Sequence, residues 1–104
     1  MRRSEVRWAR LPPPIGDRPV LLLSRDSAYR ARASITVAIV TRTIRRIPVE
    51  VTIGPEDGMP RDCAVNLDDI LTIPNASLDR RITALSPAKM GAVGTAIKFA
   101  LDLT

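Results

Sequence analysis

The 104-residue sequence contains no histidine. That removes the usual catalytic triads, histidine-pair nucleases and most metal hydrolases, all of which rely on an imidazole. It has a single cysteine, Cys63, so no disulfide can form within the chain and a reduced cytoplasm is the expected compartment. One cysteine without histidine also leaves zinc without its usual donors. Aromatic residues number three, Trp8, Tyr29 and Phe99, so the core has to be built from Val, Ile, Leu and Ala. No apolar run approaches the ~18 residues of a membrane-spanning helix, and no apolar stretch follows the basic N-terminus as it would in a secretory signal. Glycine-rich phosphate loops of the P-loop or dinucleotide kind are missing. No metal, cofactor or membrane is therefore expected.

What is present is arginine. Residues 1–46 carry eleven Arg against Glu5, Asp17 and Asp26, whereas residues 47–104 carry five basic and eight acidic residues. A basic half of this kind could attract nucleic acid. Fourteen of the sixteen basic residues are Arg, a bias that a GC-rich genome would also produce, so charge alone does not decide the matter. The length fits one domain, residues 1–104, with a small core that would gain from a partner surface.

Periodicity gives the elements. Glu5–Leu11 reads as a strand with Val6 and Trp8 on one face and Glu5 and Arg7 on the other. Pro12–Asp17 holds three consecutive prolines and has to be a loop. Arg18–Ser24 is a short, continuously apolar strand, with Pro19 where a strand tolerates one. Arg25–Ala33 reads as a loop with a short helical turn, and Ser34–Val40 as a β-branched strand. Thr41–Ile47 is a basic loop. Pro48–Ile53 is a strand with Val49, Val51 and Ile53 on one face, and Gly54–Asp62 is turn chemistry. Cys63–Leu67 and Ile70–Pro74 read as two short strands, joined or kinked at Asp68-Asp69. A helix starts at the Ser86 cap with Pro87 in its first turn; Met90, Val93, Ile97, Ala100 and Leu101 share its apolar face. Five or six short strands and one helix in this length indicate a small barrel.

The remaining chemistry is that of arginine, hydroxyl and carboxylate. Arg18 precedes a proline, which biases it to extended geometry and holds its side chain in a defined direction. Thr41 ends the most β-branched strand where the basic loop begins. Asp68 and Asp69 interrupt two apolar segments. Each has a plain structural reading too: an ion pair at a sheet edge, an ordinary strand threonine, a turn. Cys63, without an imidazole to activate it, reads as a small packed thiol.

Four segments, "EVRWARLPPPIGDRPVLLLSRD", "VAIVTRTIR", "PVEVTIGPEDGMPRDCAVNLDDILTIP" and "LSPAKMGAVGTAIKFALDL", occur in that order. Together they resemble the MazF/PemK family of toxins, the endoribonuclease halves of bacterial toxin–antitoxin pairs. The resemblance covers nearly the whole chain and is carried by the "GxRPV" turn and strand, the "TxTIR" strand end and the "VNLDDIxTI" segment. It implies a mainly β (α+β) fold, a small SH3-like barrel with a C-terminal helix of the MazF/CcdB type, usually a homodimer. It implies metal-independent cleavage of single-stranded RNA, with Arg18 and Thr41 as the catalytic pair. Asp17, Arg42, Thr43, Arg45, Asn66 and Asp68 become the expected RNA contacts, with Arg46 extending the basic track. Where some members carry an acid or histidine upstream of "GxRPV", this chain has Pro12, Pro13 and Pro14, and no general base is named. The implied partners are single-stranded mRNA, tRNA or rRNA and a cognate MazE-like antitoxin in the cytoplasm.

The residue types suit that chemistry. The ribose 2′-hydroxyl can attack the adjacent phosphorus without metal or external nucleophile, and a guanidinium can clamp the phosphate with paired donors. Two rival readings stand beside it: a CcdB-like toxin that poisons DNA gyrase by contact, and a non-catalytic homologue that only binds antitoxin or RNA.

Overall fold

The structure is a computed structural model that describes residues 1–104. Six strands form one antiparallel sheet: β1 (Glu5–Ala9), β2 (Arg18–Leu22), β3 (Ser34–Thr41), β4 (Glu50–Ile53), β5 (Cys63–Pro74) and β6 (Leu78–Ala84). A four-residue helix, α1 (Ala28–Ala31), lies between β2 and β3, and α2 (Pro87–Ala100) follows β6. The order across the sheet is β4-β5-β3-β2-β1-β6. The edge strands β4 and β6 do not pair with each other, so the expected barrel is an open, mainly β sheet with a C-terminal helix.

The sheet is buried on both faces, which explains the unbroken apolar run of β2. Leu21 and Leu23 join Ala38, Val40, Val51, Ile53, Val65 and Leu67 on the face covered by Val93 and Ala96 of α2. Val20 and Leu22 point the other way, to Ile35, Val37, Ile39, Ile73, Leu11 and Tyr29. A strand with two dry faces cannot alternate. Tyr29 anchors α1 in the second cluster, its hydroxyl donating to the Ser24 carbonyl at 2.9 Å.

Three elements differ from their sequence reading. Cys63–Pro74 is one strand rather than two. Against β3 its register jumps from Ile39↔Asn66 to Ala38↔Ile70, so Leu67, Asp68 and Asp69 bulge out. Leu67 is buried by the bulge while the two aspartates stay exposed, which is the kink expected at Asp68-Asp69. Strand β6 has no counterpart in the sequence reading. Its exposed Asp79, Arg80 and Arg81 interrupt the apolar pattern, and it exists because β1 supplies partners, Glu5↔Ala84 through Ala9↔Leu78. In α2 the buried positions are Val93 and Ala96, with Met90, Ile97 and Ala100 packed beside them. Leu101 lies past the helix end as its cap and is exposed.

The Gly54–Gly58 turn is tied to both neighbours. Asp57 Oδ2 accepts from the Gly54 amide at 3.0 Å and lies 3.7 Å from Lys89 Nζ of α2. Lys89 Nζ also donates to the Thr52 carbonyl at 2.7 Å. Thr83 Oγ1 of β6 donates to the Asp57 carbonyl at 2.8 Å. Gly58 sits at φ 89°, where a Cβ would collide with Thr83, so glycine is required twice over. No helix is long and apolar enough to cross a membrane.

Candidate functional site

Strand register brings the sequence-distant candidates together. Arg18 opens β2 and Thr41 closes β3. The two strands run antiparallel with Val20 across from Ile39. That ladder ends at this pair, so Arg18 and Thr41 each lie two residues past its end on the same side of the sheet, and both line one cleft. On the other side of β2, Trp8 lies across from Pro19 and Ala9 across from Arg18. Arg18 and Pro19 at the beginning of β2 therefore line a cleft of about 510 Å³ together with Trp8, Asp17, the end of β3 and Met59, Pro60, Arg61 and Cys63.

The lining has a definite charge pattern. Three guanidiniums, Arg18, Arg42 and Arg61, face it with one carboxylate, Asp17. Two hydroxyls, Thr41 and Thr43, stand among them, and Trp8, Met59 and Ile82 form the apolar wall. Such a surface favours an anion, and a guanidinium fork matches phosphate in particular.

Arg18 is exposed, and its Nε donates to the Ile15 carbonyl at 3.4 Å. That bond uses one edge of the guanidinium and leaves the terminal nitrogens for a ligand. The carbonyl is held in place because the Pro12–Asp17 loop folds on itself. The Ile15 and Gly16 amides both donate to the Pro12 carbonyl, at 3.2 and 3.4 Å, and Gly16 takes the left-handed conformation at φ 72° that lets the chain turn into β2. Thr41 Oγ1 accepts from the Thr43 amide at 3.1 Å. With a lone pair occupied, its own hydrogen is free to be donated into the cleft.

Cys63 lies at the base of the cleft and is buried. Burial pushes its thiol pKa up, and the Asp62 and Asp57 carboxylates push it further in the same direction. It is a protonated packing group, as its sequence context indicates.

Of the expected RNA contacts, Asp17, Arg42 and Thr43 share the cleft with Arg18 and Thr41, and three do not. Arg45 is turned to Glu50: its Nε lies 2.7 Å from Oε2, and its amide donates to Oε1 at 2.8 Å. The Glu50 side chain is almost fully buried, 1% exposed. Burial raises its pKa, but hydrogen bonds from the Arg45 amide and guanidinium outweigh this and leave it below the usual carboxylate value. Arg45 thus holds the basic loop to β4. Asn66 spends its Oδ1 on the Asp68 amide, 3.0 Å away, to shape the β5 bulge, and neither residue lines the cleft. Arg46 is exposed at φ 55° in the same loop.

Two cleft residues have no functional reading from sequence. Arg61 sits in a segment that reads only as turn, and Trp8 reads as one face of a strand. Trp8 did carry a signal: it is the sole tryptophan of an aromatic-poor chain and remains only half-buried.

Residues 2–101 match the family described as PemK-like, MazF-like toxin of type II toxin-antitoxin system. The chain is 43% identical over 91 residues to the probable endoribonuclease MazF2 of Mycobacterium tuberculosis, covering 86% of this chain and 87% of that protein. Among solved structures it is similar to the Mycobacterium tuberculosis toxin MazF-mt6, with a TM-score of 0.89 at 32% identity over 96% of this chain and 98% of that one. It is also similar to an endoribonuclease in complex with its cognate antitoxin from a mycobacterial species, with a TM-score of 0.88 at 30% identity over 100% of this chain and 97% of that one.

Proposed function

The chain belongs to the PemK-like, MazF-like toxins of type II toxin–antitoxin systems, and from that premise we propose that it is an endoribonuclease toxin that cuts single-stranded RNA at the Arg18–Thr41 cleft. The observation that carries this reading is the convergence of three guanidiniums and two hydroxyls, with a single carboxylate, at one end of adjacent antiparallel strands.

In the proposed reaction the RNA supplies its own nucleophile. The 2′-oxygen attacks the neighbouring phosphorus in line, the 5′-oxygen leaves, and the products are a 2′,3′-cyclic phosphate and a 5′-hydroxyl. No metal is needed for those bonds to form and break. The task of the cleft is to align the strand and to stabilise the charge that builds on the phosphate oxygens. A preorganised donor of this kind is worth about 3–4 kcal/mol of transition-state stabilisation. Arg18 supplies it with its terminal nitrogens, and Thr41 adds a neutral donor. Arginine, with a pKa above roughly 12, is a poor proton carrier, so its charge comes first and proton donation to the 5′-oxygen second. Arg42 and Arg61 hold flanking phosphates. Asp17 offers acceptors to nucleotide hydroxyl and amino groups.

The same reading takes the protein to be a cytoplasmic homodimer acting on mRNA, tRNA or rRNA and silenced by a cognate antitoxin. The small aromatic-poor core and the exposed Phe99, Leu101 and Leu103 favour a second chain. An acidic, apolar antitoxin segment that folds on the arginine cleft would block RNA entry.

Incubation of the purified protein with a long RNA in EDTA tests the proposal. Discrete fragments with 5′-hydroxyl and cyclic-phosphate ends are expected. Intact RNA, or fragments with 5′-phosphate ends, would contradict it.

A further inference from the structure

The groove does not stop at the cleft. A second hollow of about 290 Å³ adjoins it, lined by Trp8, Ala9, Arg10, Asp17, Asp79 and Arg80. Trp8 and Asp17 border both spaces and so mark the boundary between them. The fold makes this inevitable. Ala9 lies across from Arg18 on one side of β1 and from Leu78 on the other. The chain beyond Ala9 therefore carries Arg10 past the mouth of β2, while the start of β6 brings Asp79 and Arg80 alongside.

These side chains contribute little to holding the sheet. Arg10 Nη1 lies 3.7 Å from Asp79 Oδ2 with both side chains more than half exposed, at 63% and 57%, and exposed pairs of this sort stabilise a fold weakly. Arg10 Nη2 reaches the Ala76 carbonyl at a long 3.4 Å. Arg80 is exposed. The other two aromatics are placed elsewhere: Tyr29 is buried with its hydroxyl on Ser24, and Phe99 is at the far end of α2. Trp8 alone stands at the groove.

We propose that this second hollow is a nucleotide subsite beside the cut. Trp8 stacks the base of a nucleotide flanking the scissile phosphate, and Arg10 and Arg80 take the next phosphate along the strand. The proposal rests on the endoribonuclease reading and extends it. Proteins that hold single strands combine a basic track with aromatic platforms because every base has a face to stack. Here the order along the groove is Arg18, Trp8, then Arg10 and Arg80: phosphate, base, phosphate. Asp79 holds the Arg10 guanidinium at the rim, and Asp17 offers acceptors to the nucleotide on either side of that boundary. The occupant is a single-stranded polynucleotide that extends past the cut, not a mononucleotide.

The test uses the full chain and its built-in reporter, since Trp8 is the sole tryptophan. A cut site is first mapped in a long RNA. An oligonucleotide spanning it, with a 2′-deoxynucleotide at the cut, is then titrated while Trp8 emission and the anisotropy of a label on the RNA are both followed. Trp8 quenching should saturate together with the anisotropy. Trp8→Ala should weaken binding by about 5- to 150-fold, the value of one stacked base, and Trp8→Phe should recover most of it. The Arg10→Ala/Arg80→Ala variant should flatten the plot of log affinity against log salt by about 0.7 for each phosphate it no longer neutralises. That variant and the unaltered protein should bind equally well to an oligonucleotide trimmed at the cut on one of its two sides. Binding by anisotropy with unchanged Trp8 emission, or a folded Trp8→Ala that binds and cuts normally, would overturn the subsite and leave the nuclease reading standing. Absence of both RNA binding and cleavage would overturn the two together.

Discussion

Arg18→Ala should lower the single-turnover cleavage rate by about 10²–10³, the cost of one preorganised donor at a developing charge. Its circular dichroism and melting should stay close to those of the unaltered protein, because the Arg18 side chain is exposed and Pro19 to Leu22 hold the strand without it. Arg18→Lys should rescue little, since a point charge does not reproduce a two-pronged clamp. Thr41→Val keeps the shape and removes the hydroxyl, so it should bind RNA and cut weakly. An Arg18→Ala protein that cuts at the normal rate would move the site elsewhere. Sequence marks Arg18 and Thr41 as candidates beside Asp68 and Asp69, through the proline after one and the strand end at the other, and the family resemblance is what selects the pair. Sequence could not show that Arg61 joins them, because nothing within a turn segment says which cleft it borders. Nor could it show that Arg45 is committed to Glu50. That pairing depends on a buried carboxylate that in sequence is only one more alternating polar residue of Pro48–Ile53.

The elements differ in how far they can be read from sequence, and the reason is where their stability comes from. Strands β2 and β3 carry their own signal, since their side chains are buried on one or both faces. Strand β6 does not, since its ladder to β1 stabilises it and most of its side chains meet solvent. The loop from Thr41 to Glu50 is an intermediate case whose hold on the sheet can be measured. The Glu50 carboxyl is below its ordinary value of 4.5 in the folded state. A group shifted down contributes stability above its unfolded pKa and loses it as pH falls through the folded one. The unaltered protein should therefore lose stability toward Glu50→Gln as the pH is lowered from about 5, with the gap largest at neutral pH. Equal pH dependence of the two melting curves would mean that the Arg45–Glu50 tie contributes nothing to folding.

At the scale of the whole molecule, charge and surface point outward to partners. Of the eleven arginines of residues 1–46, the fold places Arg18 and Arg42 in the cleft and Arg10 next to it. Arg61 comes from the acidic half to complete the cleft. A homodimer should sediment at twice the 11.4 kDa of the chain, and a species at the chain mass at micromolar concentration would count against it. A peptide with the acidic, apolar character of an antitoxin tail should displace RNA at saturation. Intact RNA binding under those conditions would refute the blocking model.

All of this depends on the RNA cutting itself while the protein holds it. The most direct measurement replaces one nucleotide, 5′ to a mapped cut, by its 2′-deoxy counterpart and compares cleavage at that bond with cleavage at an unmodified site in the same strand. The expected result is that the modified bond stays intact while the unmodified one is cut at its normal rate. Cleavage of the deoxy-containing bond at an undiminished rate would contradict the mechanism, whatever the variants of Arg18 and Thr41 do.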